Sequence, residues 1–336
     1  LETRARSGAA YLTASVENEN VSRSANTSVV SFVPLSSDWK AALNDVRGVI
    51  ADALTQPPTQ AEVDREVAEQ DVAFANQVQQ AAVEAGSSQA DDLVAAVDIR
   101  EAVGNPALFL QVFRDMKSRF TPVEVSAHTK KLFTGTVLRA VYVTPQAGEA
   151  SDAALAAALR EKPAAYSKSR SDGKLISFAD LAPIGTPTAP VAQHPVVGAE
   201  QVDEIDYANG VKAMILNRGN EPGRVMVRVR FGSGSRAFSS QEAVYARLGQ
   251  VALVSAGEDG LDQDALDRIA TARKLGFDFD IKDAVFSFNA QTRKEDLADQ
   301  LYLFAAKLAK PRWDASPIQR AKASAKVAYP SYGGDH

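Results

Sequence analysis

The 336-residue chain carries 37 Lys and Arg against 42 Asp and Glu, a net charge of −5, and 45% hydrophobic residues, an ordinary globular composition with length enough for two cores. Its basic residues are scattered, so no phosphate-tracking patch forms and nucleic-acid binding is not expected. Zero cysteine excludes a disulfide framework, a zinc ribbon and a thiol nucleophile while leaving the compartment open, and no apolar run approaches the roughly 18 to 20 residues that span a bilayer, so no membrane insertion is expected.

Leu1 opens directly into Arg-rich sequence with no Met, signal peptide or basic leader, and the chain reads as the interior of a longer product. Tyr11 to Val16 alternates by twos, and Val21 to Val33 gives a longer polar strand pattern ending at Pro34. Trp39, Ala42, Leu43, Val46, Val49, Ile50 and Leu54 recur at helical steps after a cap at Ser37 or Asp38, an amphipathic helix closed by Pro57 and Pro58. Thr59 with Glu62 has the form of a capping box and opens a helix predicted to reach about Val83. Helix signals follow at 88–103 and 106–119, and Thr121 with Glu124 repeats the cap before a helix over Val125 to Phe133. Val137 to Val143 has strand length and β-branched content, and is expected in the middle of a sheet.

Between about 146 and 201 the composition shifts, with Pro163, Pro183, Pro187, Pro190 and Pro195 breaking long elements. Ala153 to Leu159 suits one short helix, whereas Gly185 to Gly198 is too Pro-rich for regular structure and suits an extended connector between halves that fold separately. Beyond it, Val211 to Leu216 and Val225 to Phe231 read as a half-exposed hairpin, with turn chemistry at Asn209-Gly210 and Gly219-Asn220. Gly232 to Ser240 reads as a loop, Gln241 to Ala256 as a buried helix and Gln263 to Arg273 as a second helix. Phe277, Phe279 and Ile281 face Val285, Phe286 and Phe288 across Lys282-Asp283 as a hairpin, Glu295 to Ala309 is a helix stopped by Pro311, and the tail after Asp314 begins another.

Chemistry-bearing residues are sparse. His128, His194 and His336 are the three histidines, none near another, so a helical His pair for zinc is missing. His128 reads as a surface or capping residue and His194 as part of the connector. Glu62, Asp64, Glu66, Glu69 and Asp71 fall around a helix as a solvated face, with Arg65 and Glu69 spaced for a modest i,i+4 pair. Glu258 to Asp264 lacks the ligand spacing of a calcium loop, and Gly232 to Ser235 lacks the P-loop Lys. No Gly-x-Ser-x-Gly elbow is present.

The order of motifs carries a resemblance. Asn209-Gly210-Val211, an alternating strand, Gly232-Ser233-Gly234-Ser235-Arg236, an apolar helix, a strand pair and a helix ending at Pro311-Arg312-Trp313-Asp314 resemble the opening of an insulinase/pitrilysin-type domain, and Arg4 to Ala14 resembles the start of the domain preceding it in that family. The resemblance implies an α+β fold of two layered α/β domains, each an antiparallel or mixed sheet packed on helices. It implies residues 1–145 as the second domain of a first half, lacking its first elements, 146–201 as linker, and 202–336 as an incomplete first domain of the inactive half. In active domains of that family this helix bears His-x-x-Glu-His, two zinc ligands with a general base. Here Leu248 and Ala252 fall at the ligand positions and Val251 at the base position, and none can bind metal or take a proton.

The resemblance therefore implies a non-catalytic segment of a zinc metalloendopeptidase. No cofactor is expected in this segment, zinc belongs to the parent protein, and the partners are a peptide or protein substrate and the parent's other domains or an active-half chain. Arg4 and Tyr11 have the seven-residue spacing of a pair that touches substrate in two-half members of the family, with a structural or peptide-contacting role favoured over catalysis here. Long bacterial members imply the periplasm. A scaffold or binding protein that reuses the fold is the alternative.

Overall fold

The first element of local order is a long antiparallel hairpin. In a computed structural model, which describes residues 1–21, 24–81, 84–144, 150–166, 177–199, 201–219, 223–258 and 260–329, strand β1 (Tyr11–Val21) pairs with β2 (Ala25–Pro34). Val21 thus closes the first strand rather than opening the second. Helix α1 (Glu2–Arg6) precedes the hairpin and α2 (Trp39–Thr55) follows it, with the Asp38 side chain accepting the Ala41 N–H at 3.0 Å as its cap. The apolar face read from the sequence is the buried one: Ala42 and Val46 join Ala5, Ala9 and Tyr11 in one core, while Trp39 and Leu43 pack on Ala158 in another.

Helices α3 (Gln60–Gln80), α4 (Gly86–Ile99), α5 (Pro106–Asp115) and α6 (Pro122–Leu132) continue the region. At the start of α3 both arms of the capping box form, Thr59 N–H to Glu62 Oε2 at 2.7 Å and Glu62 N–H to Thr59 Oγ1 at 3.2 Å. The expected end at Val83 lies outside the described residues. Thr121 caps α6 by accepting the Glu124 N–H at 3.3 Å.

Two sequence expectations fail here for one reason. Val137 to Val143 forms no strand, and Val137, Leu138, Val141 and Val143 are 69 to 88% exposed. β-Branched composition suits a pleated surface but supplies no partner edge. Conversely, the connector holds a strand, β3 (Pro190–Pro195), paired antiparallel with β4 (Val202–Tyr207), which pairs with β5 (Lys212–Leu216). Its prolines stand at the two ends of an edge strand, where a missing N–H is tolerated. Helix α7 (Asp152–Arg160), capped by Ser151, forms where the sequence placed it, and the Arg47 guanidinium donates to the carbonyls of Ala158, Leu159 and Glu161 at its C-terminus.

The expected hairpin from Val211 to Phe231 is also rearranged. β5 turns back on β4 through Tyr207 to Gly210, whose φ of +83° suits glycine. β6 (Val225–Phe231) instead joins a separate sheet of order β6-β8-β7, with β7 (Asp278–Ile281) and β8 (Phe286–Thr292) closing on Lys282-Asp283 as read from the sequence. Helices α8 (Ala243–Ser255), α9 (Gln263–Ile269), α10 (Leu297–Ala309) and α11 (Ala315–Ala328) complete the chain. Phe277, Phe279, Phe288 and Phe304 pack with ring centroids 4.7 to 5.9 Å apart between that sheet and α10. Beneath them the fully buried Gln300 side chain trades two hydrogen bonds with the Gly276 backbone, at 2.9 and 2.8 Å. A buried amide is tolerated when its donors and acceptor are met in this way.

Among the described residues the chain is therefore α+β, with eleven α-helices and three antiparallel sheets. Its early and late segments touch. The Arg6 guanidinium lies 2.7 Å from Asp264 and 2.5 Å from Asp267 on α9, Ser316 Oγ donates to the Arg6 carbonyl at 2.8 Å, and Arg320 donates to the Leu12 carbonyl at 2.9 Å.

Candidate functional site

Helix α8 carries Leu248, Val251 and Ala252, the positions that the sequence resemblance sets against a metal motif. It follows β6 and the Gly234–Ala237 turn, which is pinned to the β7–β8 hairpin by Ser235 N–H to the Lys282 carbonyl (2.8 Å) and Arg236 N–H to the Asp283 carbonyl (3.2 Å). Gly234 has φ +62°, and a Cβ there would stand 2.0 Å from the Lys282 oxygen. The glycine-rich loop is thus a packed turn. On α8, Leu248 is half-buried, Val251 is 41% exposed and Ala252 is buried. None of the three carries a metal donor or a titratable group.

The C-terminal end of α8 holds a buried polar cluster that the sequence reading missed. Lys307 of α10 points its ammonium at the carbonyls of Leu253 (3.3 Å), Ala256 and Gly257 (3.4 Å), at a helix end where carbonyls run short of backbone donors. Burial pushes the Lys307 ammonium down to about 8, against the opposing pull of Glu258 and Asp267. Burial also raises the Glu258 carboxyl, with Lys307 pulling it back. Glu258 is 3% exposed and its Oε2 has no hydrogen-bond partner among the described residues. A cavity of about 180 Å³ lies alongside, lined mainly by Phe178, Val254, Leu266, Phe277 and Leu303. With its three N–H groups each turned to a backbone carbonyl, Lys307 acts as a cap rather than a base.

Arg4 and Tyr11 come together at the base of the hairpin, where the Arg4 Nη2 and the Tyr11 hydroxyl are engaged within the chain. Arg4 bonds Asp45 at 2.9 Å and lies 4.5 Å over the Tyr166 ring. Tyr11 is 1% exposed and its hydroxyl donates to the Leu1 carbonyl at 2.7 Å. Burial lifts that phenol to about 12.

The carboxylates of α3 diverge, as read from the sequence. Asp71 is held well below the usual carboxylate range by hydrogen bonds from Arg114 and Lys117, Glu69 reaches Thr271 at 3.5 Å, and Arg65 approaches Glu66 at 3.8 Å instead of pairing with Glu69. Of the 258–264 loop, Glu258 turns inward and Asp262 caps α9 by accepting the Ala265 N–H at 2.8 Å. His128 stands exposed on α6, and His336 lies outside the described residues.

His194 is where sequence reasoning fell short. It sits opposite Glu204 across the β3–β4 ladder, with Asp206 two residues further along β4, so all three side chains share one face. Among the described residues this is the one group of three or more His, Cys, Asp or Glu donors close enough to hold a metal, with ligand atoms within 4.8 Å of one another. Lys212, opposite Asp206 on β5, bridges Glu204 at 2.5 Å and Asp206 at 3.2 Å. Those hydrogen bonds raise its ammonium. The spacing of Glu204 and Asp206 was legible in the sequence, whereas the connector strand bringing His194 alongside was not.

Neither a protein-family model nor a curated protein matches the chain at the sequence level. Solved structures similar to it include the periplasmic protease PqqL from Escherichia coli, at 13% identity and a TM-score of 0.42. They also include a point mutant of the ferredoxin protease FusC in complex with Arabidopsis ferredoxin, at 13% identity and a TM-score of 0.47. Each alignment covers 99% of this chain and 38% of the protease. The chain spans well under half of either protease, and a likeness of this strength assigns no residue a role. No helix among the described residues is long and apolar enough to cross a membrane.

Proposed function

We propose that this chain is a non-catalytic segment of an insulinase-type metalloendopeptidase, forming part of the wall of a peptide-binding chamber. The observation that carries the reading is α8. It follows an alternating strand and a glycine turn in the order the resemblance implies, and it carries Leu248, Val251 and Ala252, the residues that the resemblance sets against two ligands and a base. An aliphatic triad can neither polarise a scissile carbonyl nor activate water. Hydrolysis in the parent protein then depends on zinc and a general base supplied by another domain or an active-half partner, with the periplasm as the compartment.

What such a wall offers is backbone. Among the described residues β6 is an edge strand, paired with β8, and an extended peptide can add to such an edge through main-chain hydrogen bonds with little sequence preference. The test is a fluorogenic peptide library incubated with the purified chain, with and without a chelator. No chelator-sensitive turnover is expected, together with measurable binding of unstructured peptides. Turnover abolished by chelation and restored by zinc would place the chemistry in this chain and overturn the proposal. A scaffold that merely reuses the fold predicts neither turnover nor peptide binding.

A further inference from the structure

The β3–β4–β5 sheet carries chemistry that a chamber wall does not use. His194 faces Glu204 directly across the ladder, with its Nε2 4.0 Å from Glu204 Oε1, and Asp206 lies on the same face of β4. Solvent reaches that face at His194 and Met214, which are exposed, while the Glu204 and Asp206 side chains are mostly covered, at 14 and 27% exposure. One imidazole and two carboxylates suit a borderline divalent transition metal such as Zn²⁺, and the set leaves a coordination position for water.

We propose that His194, Glu204 and Asp206 form a Zn²⁺ site that clips the connector strand Pro190–Pro195 to the sheet. Three points carry it. The donors already lie within 4.8 Å of one another, and tetrahedral zinc with bonds near 2 Å holds ligand atoms about 3.3 Å apart, so binding requires these side chains to draw together by roughly 1.5 Å at most. The carboxylates converge on a cation as they stand, since the Lys212 ammonium sits between them. Lys212 is also easily displaced, being 61% exposed on a flexible stem; an exposed ion pair of this kind holds back a competing cation by about fivefold at most. β3 is exposed along its whole length, so a bond from His194 to a metal anchored on β4 adds a tether that the ladder alone does not provide. The site is independent of α8 and implies no hydrolysis.

The experiment is calorimetric titration of the metal-stripped full chain with ZnCl₂ at pH 7.5, alongside His194→Ala, His128→Ala and Lys212→Met, with amide exchange followed over residues 191–194. One zinc per chain is expected, weakened at least tenfold by His194→Ala, unchanged by His128→Ala and tightened several-fold by Lys212→Met, with β3 amides slowed on zinc addition. Absence of zinc binding in both the unmodified chain and Lys212→Met would reduce the cluster to an ion-pair network and overturn the proposal. Binding indifferent to His194→Ala, or zinc that leaves β3 exchange unchanged, would overturn it equally. Peptide turnover, which tests the chamber-wall reading, is not a readout of any of these variants.

Discussion

Lys307→Met should change the pH dependence of stability more tellingly than its value at any one pH. The ammonium caps α8 on the carbonyls of Leu253, Ala256 and Gly257, beside the buried Glu258. Methionine keeps the stem but takes the ammonium away from the Ala256 oxygen and leaves the Leu253 and Gly257 oxygens to long contacts with the Ala256 and Arg312 N–H groups, both at 3.4 Å, at a cost of about 2 kcal/mol near pH 7. The titration adds a signature that packing loss lacks. Burial lowers Lys307 from 10.5 to about 8 in the folded chain, so between those values the unfolded chain holds a proton that the folded chain has released. Stability therefore rises with pH across that window, by about 1.4 kcal/mol per unit and about 3 kcal/mol in all, and the gain is lost as pH falls through 8. Urea denaturation followed by circular dichroism at half-unit steps from pH 7 to 10.5 measures this. The advantage of the native chain over Lys307→Met should widen steadily with pH. A constant difference would refute the reasoning and mean that the ammonium is as well solvated by its carbonyls as by water.

Two further substitutions probe other joints of the molecule. Gly234→Ala forces a Cβ to within 2.0 Å of the Lys282 oxygen at a φ of +62°, so a loss of about 3 kcal/mol is expected from strain and displaced packing. A melting temperature within about a degree of the native chain would show that the turn before α8 is not pinned to the β7–β8 hairpin. Arg6→Ala removes a guanidinium shared by Asp264 and Asp267, whose own exposure limits the loss to about 1 kcal/mol. The destabilisation should shrink in 0.5 M salt, and faster amide exchange should appear in both α1 and α9; exchange confined to α1 would mean that the two segments do not support each other.

The elements legible in the sequence are those whose signals close within four residues. The capping box of Thr59 and Glu62 and the apolar face of α2 are legible, as is the α2 cap to within Ser37 or Asp38, because donor, acceptor and core face sit one turn apart. The β7–β8 hairpin was read because its turn and its alternating phenylalanines are contiguous. Strand partners were not. Val137 to Val143 has the composition of a strand and no ladder, Pro190 to Pro195 has the composition of a connector and a ladder on one side, and β5 pairs with β4 rather than β6. Pairing depends on which edge arrives, and a residue's own propensity says little about that.

For function, the same division holds. That α8 lacks metal ligands and a base was determined by the sequence alone, because no fold can give Leu248, Val251 or Ala252 a donor atom. Where charge and coordination chemistry gather was decided by tertiary structure. Lys307 meets the end of α8 from 51 residues beyond Ala256, Arg6 meets α9 from 258 residues before Asp264, and His194 meets Glu204 only because a proline-flanked segment joins a sheet edge. Such encounters are set by chain closure and by the requirement that buried or neighbouring charges find partners, and neither is encoded within a single turn of chain.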